Sequence, residues 1–221
     1  SIPYKTTNGT ATTNDNDYQA SAGVVDFLGK ANEAFQFDVF IRGDRKIEAD
    51  EVFNIILESL STDFGGKLSS GGSPLAVTIE NDDTEKISIT KQDGNENGLN
   101  ASFTFSLPPG VTADQDLSIE YTLSGTAENM KDYSHAGQIL TIKAGQNSVT
   151  LPITIKDDQI VEDEEEILLH AEVQPNGRQV SMANNDVIAK IVDNDEALLS
   201  IANLSVTEGD ISSKTISFEV K

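Results

Sequence analysis

Apolar and polar residues alternate with period two along much of this chain. Val149, Leu151, Ile153 and Ile155 fall on one face of a predicted strand, and Phe35, Phe37, Val39 and Ile41 do the same 114 residues earlier. The same alternation predicts strands at 117–123, 138–142, 167–173 and 187–192. Gly, Pro, Asn and Asp punctuate them at 108–110, 144–147 and 175–177, where tight turns need those residues. No stretch carries helical periodicity. Short strands at regular spacing predict an all-β chain built of Greek-key β-sandwiches. Pro152 lies inside one strand and lacks a backbone N–H, so an edge or a bulge is expected there.

The pattern also repeats. Gly9-Thr10-Ala11 is answered by Gly125-Thr126-Ala127, Asp17-Tyr18 by Asp132-Tyr133, and Gly23 by Gly137. Asp44, Glu48 and Glu51 are answered by Asp158, Glu162 and Glu165, and residues 79–83 by 191–195, with an offset that drifts only from 116 to 112. A shorter echo follows, in which 199–201, Glu208 and 216–218 match 87–89, Glu96 and 103–105. Self-similarity at this period means tandem domains. The chain divides into a first repeat at 1–83, a second at 84–195, and the first two strands of a third at 196–221. The first repeat begins at its third strand, since 2–6 align with 119–123.

Charge then gives the repeats a chemistry. Residues 157–166 place seven carboxylates in ten positions, and the chain as a whole carries a net charge of −22. Like charges at this density repel unless a cation sits among them, and Ca²⁺ is the hard cation that takes six to eight oxygen ligands. So acidic a chain lacks the basic face that nucleic acid or an anionic membrane requires. Cysteine is absent, which excludes disulfides, thiolate metal sites and cysteine nucleophiles. No apolar run approaches transmembrane length, so direct membrane insertion is not expected.

The ordered set Gly-Thr-Ala, Asp-Tyr, Gly, a strand ending in Asp157-Asp158, Glu162-x-x-Glu165 and a closing Ile191-x-Asp193-Asn194-Asp195 resembles the Calx-beta domain. The resemblance spans essentially the whole chain. It implies immunoglobulin-like sandwiches that bind Ca²⁺ in loops at one end, beside the junction with the next domain. In the second repeat it implies Glu96, Asp132, Asp157, Asp158, Glu162, Glu165, Asp193 and Asp195 as ligands. In the first repeat Asp17, Asp44, Glu48, Glu51, Asp82 and Asp83 remain. There, however, Gly43 and Ala49 stand where the family places acids, and Arg45 and Lys46 add positive charge, so weaker binding is expected.

Other signals are weaker. The segment 93–104 begins like an EF-hand loop but ends in Thr104 instead of a bidentate Glu. Arg42-Gly43-Asp44 matches an integrin-read tripeptide but falls in the aligned metal loop. His135 and His170 join no Ser–His–Asp pattern, and a chain without Trp lacks the rings that line a sugar cleft, so no enzyme is expected. The expected role is a calcium-stiffened spacer or adhesion segment of an extracellular or cell-surface protein, bacterial in character, whose partners are calcium ions and neighbouring repeats. The alternative is a regulatory calcium sensor of a transporter. The unattached strands at 198–220 further suggest head-to-tail exchange between copies, with Glu208 replacing the acid that the first repeat lacks.

Overall fold

In the computed structural model, residues 1–30, 32–58, 73–210, 213 and 215–221 are described. Among them every regular element is a strand. The first repeat contains β1 (Ile2–Asn8), β2 (Ala22–Val25), β3 (Glu51–Leu57) and β4 (Leu75–Ile79), which form one antiparallel sheet in the order β2-β1-β3-β4.

The second repeat is a two-sheet sandwich. Its strands are β5 (Glu85–Gln92), β6 (Gly94–Asn95), β7 (Ala101–Ser106), β8 (Leu117–Gly125), β9 (Tyr133–Ser134), β10 (Ile139–Ile142), β11 (Ser148–Ile155), β12 (Glu165–Val173), β13 (Val180–Met182) and β14 (Asp186–Val192). One sheet runs β10-β8-β12-β14-β6 and the other β13-β5-β7-β11-β9. Alternate residues of each strand point inward, as period-two patterning requires. Ile87 and Ile89, Phe103 and Phe105, and Leu151 and Ile153 come from one sheet. They meet Leu117 and Ile119, Ile167 and Leu169, and Ala189 and Ile191 from the other. Pro152 faces Ser102 of β7, while β9 reaches only Thr154 and Ile155 on the opposite side. The proline therefore sits where its missing N–H costs no ladder bond, as an edge position allows.

The repeated tripeptide has a physical cause. A Cβ on Gly125 would lie 2.1 Å from the Glu166 carbonyl oxygen, and one on Gly9 would lie 2.2 Å from that of Val52. Thr126 and Thr10 accept hydrogen bonds from the Glu166 and Val52 N–H groups at 2.8 Å. The N–H groups of Ala127 and Ala11 then donate back to the same two carbonyls at 3.1 and 3.0 Å. Each Gly-Thr-Ala thus clamps the strand that follows the acidic loop.

Two expectations are corrected. Residues 34–41 are not a strand, although Ile41 makes an isolated bridge to Tyr18. Their counterpart β11 is held by β7, and no described strand stands in that place in the first repeat. Alternation marks a face, but a ladder needs a partner to satisfy its N–H and C=O groups. Among the described residues, Ala11, Tyr18 and Phe53 form the buried cluster of this repeat, with Val39, Ile55, Val77 and Ile79 packed against it, and Phe35 and Phe40 are exposed. Nor do the described residues of 198–220 form the two expected strands. They make one bridge, Ile201 to Val220, and are exposed throughout. Residues 211–212 and 214 of that stretch lie outside the described residues.

Candidate metal centres

The acidic residues of the second repeat come from four separated segments, which the sandwich gathers at one end. Glu96 follows β6, Asp132 precedes β9, Glu162 and Glu165 border β12, and Asp193 and Asp195 follow β14. Their carboxylates form two groups, Glu96–Asp193–Asp195 and Asp132–Glu162–Glu165, and within each group ligand oxygens lie within 4.8 Å of one another. A backbone bond joins the groups, since the Glu162 N–H donates to Asp193 Oδ2 at 2.8 Å. Asp193 Oδ1 accepts from the Asp195 N–H at 2.9 Å. These two donors hold the Asp193 carboxyl below its ordinary range, so it stays anionic between its neighbours.

Glu96 is the most informative member. It is 6% exposed, yet Oε2 is a buried atom without a hydrogen-bond partner, as is Asp195 Oδ2. Burial first, then Asp193 through a hydrogen bond and its charge, then Asp158 and Asp195, push the Glu96 carboxyl up to about 7. Glu165 rises to about 6, from burial and from Asp132 beside it. Buried acids facing other acids are costly unless protonated or neutralised by a cation. Two orphaned carboxylate oxygens in an all-oxygen set fit a hard divalent ion.

Asp157 and Asp158 border the first group. Asp157 Oδ1 accepts from the Asn194 side-chain amide at 3.3 Å, and Asp158 Oδ1 accepts from the Ile160 N–H at 2.7 Å. Thus Asn194, which stands between two acids, acts as a donor to one of the expected ligands. The second group has an internal counter-ion that sequence reasoning missed. The Lys131 ammonium lies 2.8 Å from Glu162 Oε1 and 3.2 Å from Asp132 Oδ1. Asp132 also accepts from the Glu128 N–H at 2.7 Å, which holds the loop closed while Tyr133 enters the core.

In the first repeat Asp17, Asp44, Glu48, Glu51, Asp82 and Asp83 all line one cavity of about 140 Å³. Glu51 is pushed up to about 7, by burial and then by Asp17. Two differences set this site apart. Asn81 occupies the place of Asp193, so the carboxylate that bridges the two groups is missing. Lys46 fills part of the site instead, with its ammonium 2.5 Å from both Asp15 and Glu48. Burial alone would lower the lysine pKa, but the two carboxylates outweigh it and the net shift is upward. Asp15 joins Asp17 and Glu48 in a third group that the sequence comparison missed, because Met130 stands at the matching place in the second repeat. Glu208, in the exposed tail, belongs to none of these groups.

The Calx-beta domain family model matches residues 1–83 and again residues 80–195. The chain belongs to the Calx-beta domain family. Among solved structures, it is similar to the apo-form Calx CBD1 domain at 19% identity, covering 50% of this chain and 100% of that one with a TM-score of 0.41. It is also similar to CBD12 from CALX1.2 at 21% identity, covering 79% and 69% with a TM-score of 0.33. A third similar structure is titled calcium binding domain CBD12 of CALX1.1, at 21% identity, covering 84% and 69% with a TM-score of 0.32. No curated protein matches the chain. Calcium, expected from the carboxylate pattern, is in keeping with membership of this Calx-beta family.

Proposed function

We propose that this chain is a non-enzymatic calcium-binding module in which the ion couples neighbouring repeats. The observation that carries this reading is the orphaned Glu96 Oε2, buried between Asp193 and Asp195. Glu96, Asp157, Asp158, Asp193 and Asp195 would hold one ion and Asp132, Glu162 and Glu165 another, with Asp193 fixed by hydrogen bonds between them. The ion supplies positive charge that relieves carboxylate repulsion. The chain supplies loops that close once that repulsion is gone. The first repeat, with Lys46 in its site and Asn81 for the bridging acid, binds more weakly.

The setting we favour is extracellular, as a stiffened spacer or adhesion segment of a bacterial surface or secreted protein. An acidic tandem array supports it. No described helix is long and apolar enough to cross a membrane. A regulatory sensor attached to a transporter is the second reading, and membership of the Calx-beta family supports it. Affinity separates the two. Isothermal titration of the metal-stripped chain should give half-saturation near ~10⁻⁴–10⁻³ M for a spacer and ~10⁻⁷–10⁻⁵ M for a sensor.

Exchange between copies belongs to the same reading. Residues 34–41 carry a strand pattern without a ladder, and the exposed tail carries the pattern of β5 and β7. In the exchanged dimer, the tail of one copy pairs with 34–41 of the next and brings Glu208 toward that copy's acidic cavity. Sedimentation at high concentration tests it: concentration-dependent assembly is expected, and a strictly monomeric chain rejects it.

A further inference from the structure

Ile47 belongs to the first repeat by sequence and to the second by packing. It is 0% exposed and lies in the core cluster whose other members all come from the second repeat. Its N–H donates to the Thr112 carbonyl at 2.9 Å, and its own carbonyl accepts from the Asp114 N–H at 3.1 Å. Charged groups rim this plug. Arg178, in the loop before β13, makes a two-pronged pair with Asp114 at 2.9 and 2.6 Å, and Arg45 reaches Glu85 at 2.6 Å. The acidic loop of one repeat therefore carries an apolar residue that seats in a socket at the base of the next.

The repeat puts Val161 at the position of Ile47, because Asp44, Glu48 and Glu51 align with Asp158, Glu162 and Glu165 at one constant spacing. Val161 is 52% exposed, and Ile160 beside it is 54% exposed. Both stand in a run of acids, where solvated polar residues would be the ordinary choice. We infer that Ile160 and Val161 form a docking plug whose partner is a following β-sandwich repeat. That partner offers an apolar socket after its second strand, one backbone C=O and one N–H for Val161, and an arginine at the rim.

Two features define the partner further. Ile160 replaces Lys46, and Gln159 replaces Arg45, so this plug is wider, more apolar and without a cation of its own. Its acidic flanks, Asp157 and Asp158 on one side and Glu162 to Glu166 on the other, select a socket with positive charge at the rim. Arg178 has that place at the observed junction, where Glu48 acts on it electrostatically.

Because the chain has no cysteine, single-thiol reporters are clean. A second copy of residues 84–195 inserted after Asp195 presents Val161 with the socket that accepts Ile47, and keeps the native chain otherwise intact. Val161→Cys should react with a thiol reagent rapidly in the 221-residue chain. In the extended chain it should react at least ~10-fold more slowly, approaching Ile47→Cys. Hydrogen exchange at the unsubstituted Val161 amide should slow in parallel. Protection in calcium or in chelator supports the plug, and equal reactivity and exchange in both chains under both conditions overturn it. Calcium binding is read separately, so its failure leaves this result interpretable.

Discussion

Replacing Ile47 by alanine removes three buried carbons from a position closed to solvent. At about 0.8 kcal/mol per buried methylene, transfer alone costs about 2.4 kcal/mol, and the cavity left behind raises the total to ~3–4 kcal/mol. The backbone bonds to Thr112 and Asp114 need no side chain, so the loss is one of packing and not of register. Because Ile47 packs with Val111, Ala113 and Leu117 in one cluster, the cost falls on the second repeat as well as on the junction. Urea unfolding followed by tyrosine fluorescence is suitable, since Tyr4 and Tyr18 report the first repeat and Tyr121 and Tyr133 the second. Ile47→Val should cost only ~1 kcal/mol. An Ile47→Ala chain within ~0.5 kcal/mol of the parent would refute the plug, as would a valine variant costing as much as alanine.

The remaining predictions concern the acidic sites and the clamp. Glu96, pushed up to about 7, and Glu165, up to about 6, are raised acids. Raised acids stabilise the metal-free protein below the unfolded value near 4.5 and lose that contribution as pH rises through 6 to 7. Calcium needs the deprotonated forms, so titrations at pH 6 and 8 should show affinity about tenfold higher at pH 8 from Glu96 alone. Equal affinities would contradict this. Lys131→Ala should strengthen calcium binding modestly, because it removes an exposed cation held against Glu162 and Asp132, and a weaker ion affinity would show that the lysine does not compete. Gly125→Ala places a Cβ against the Glu166 carbonyl at a φ of +132°, and should destabilise the second repeat by at least ~2 kcal/mol in chemical denaturation.

Much of this was legible in the sequence because period-two alternation and recurring anchors encode which face is buried. The second repeat shows it: β8, β10, β11, β12 and β14 fall where Leu117, Ile139, Val149, Ile167 and Val187 predicted strands. The gathering of Glu96 with Asp193 and Asp195 was also foreseeable, since a sandwich brings distant loops to one end. What was not legible depends on partners. Residues 34–41 have the same alternation as β11, but pattern alone cannot reveal whether a ladder neighbour exists. Asp15 and Lys131 lack counterparts of like charge in the other repeat, so comparing repeats hid them. Ile47 reads as an ordinary apolar residue inside a charged loop, and only its burial in the neighbouring sandwich shows its purpose.

A calorimetric melt of the chelator-treated chain across a calcium titration, with magnesium as control, tests the central claim most directly. At a hundredfold excess over the dissociation constant, one site should add about 2.7 kcal/mol to the second repeat, which for a domain of this size means a rise of ~10 °C or more. The account predicts that rise with calcium, a much smaller one with magnesium, and a smaller, later response from the first repeat. A melt unmoved by calcium, or moved equally by both ions, would contradict it.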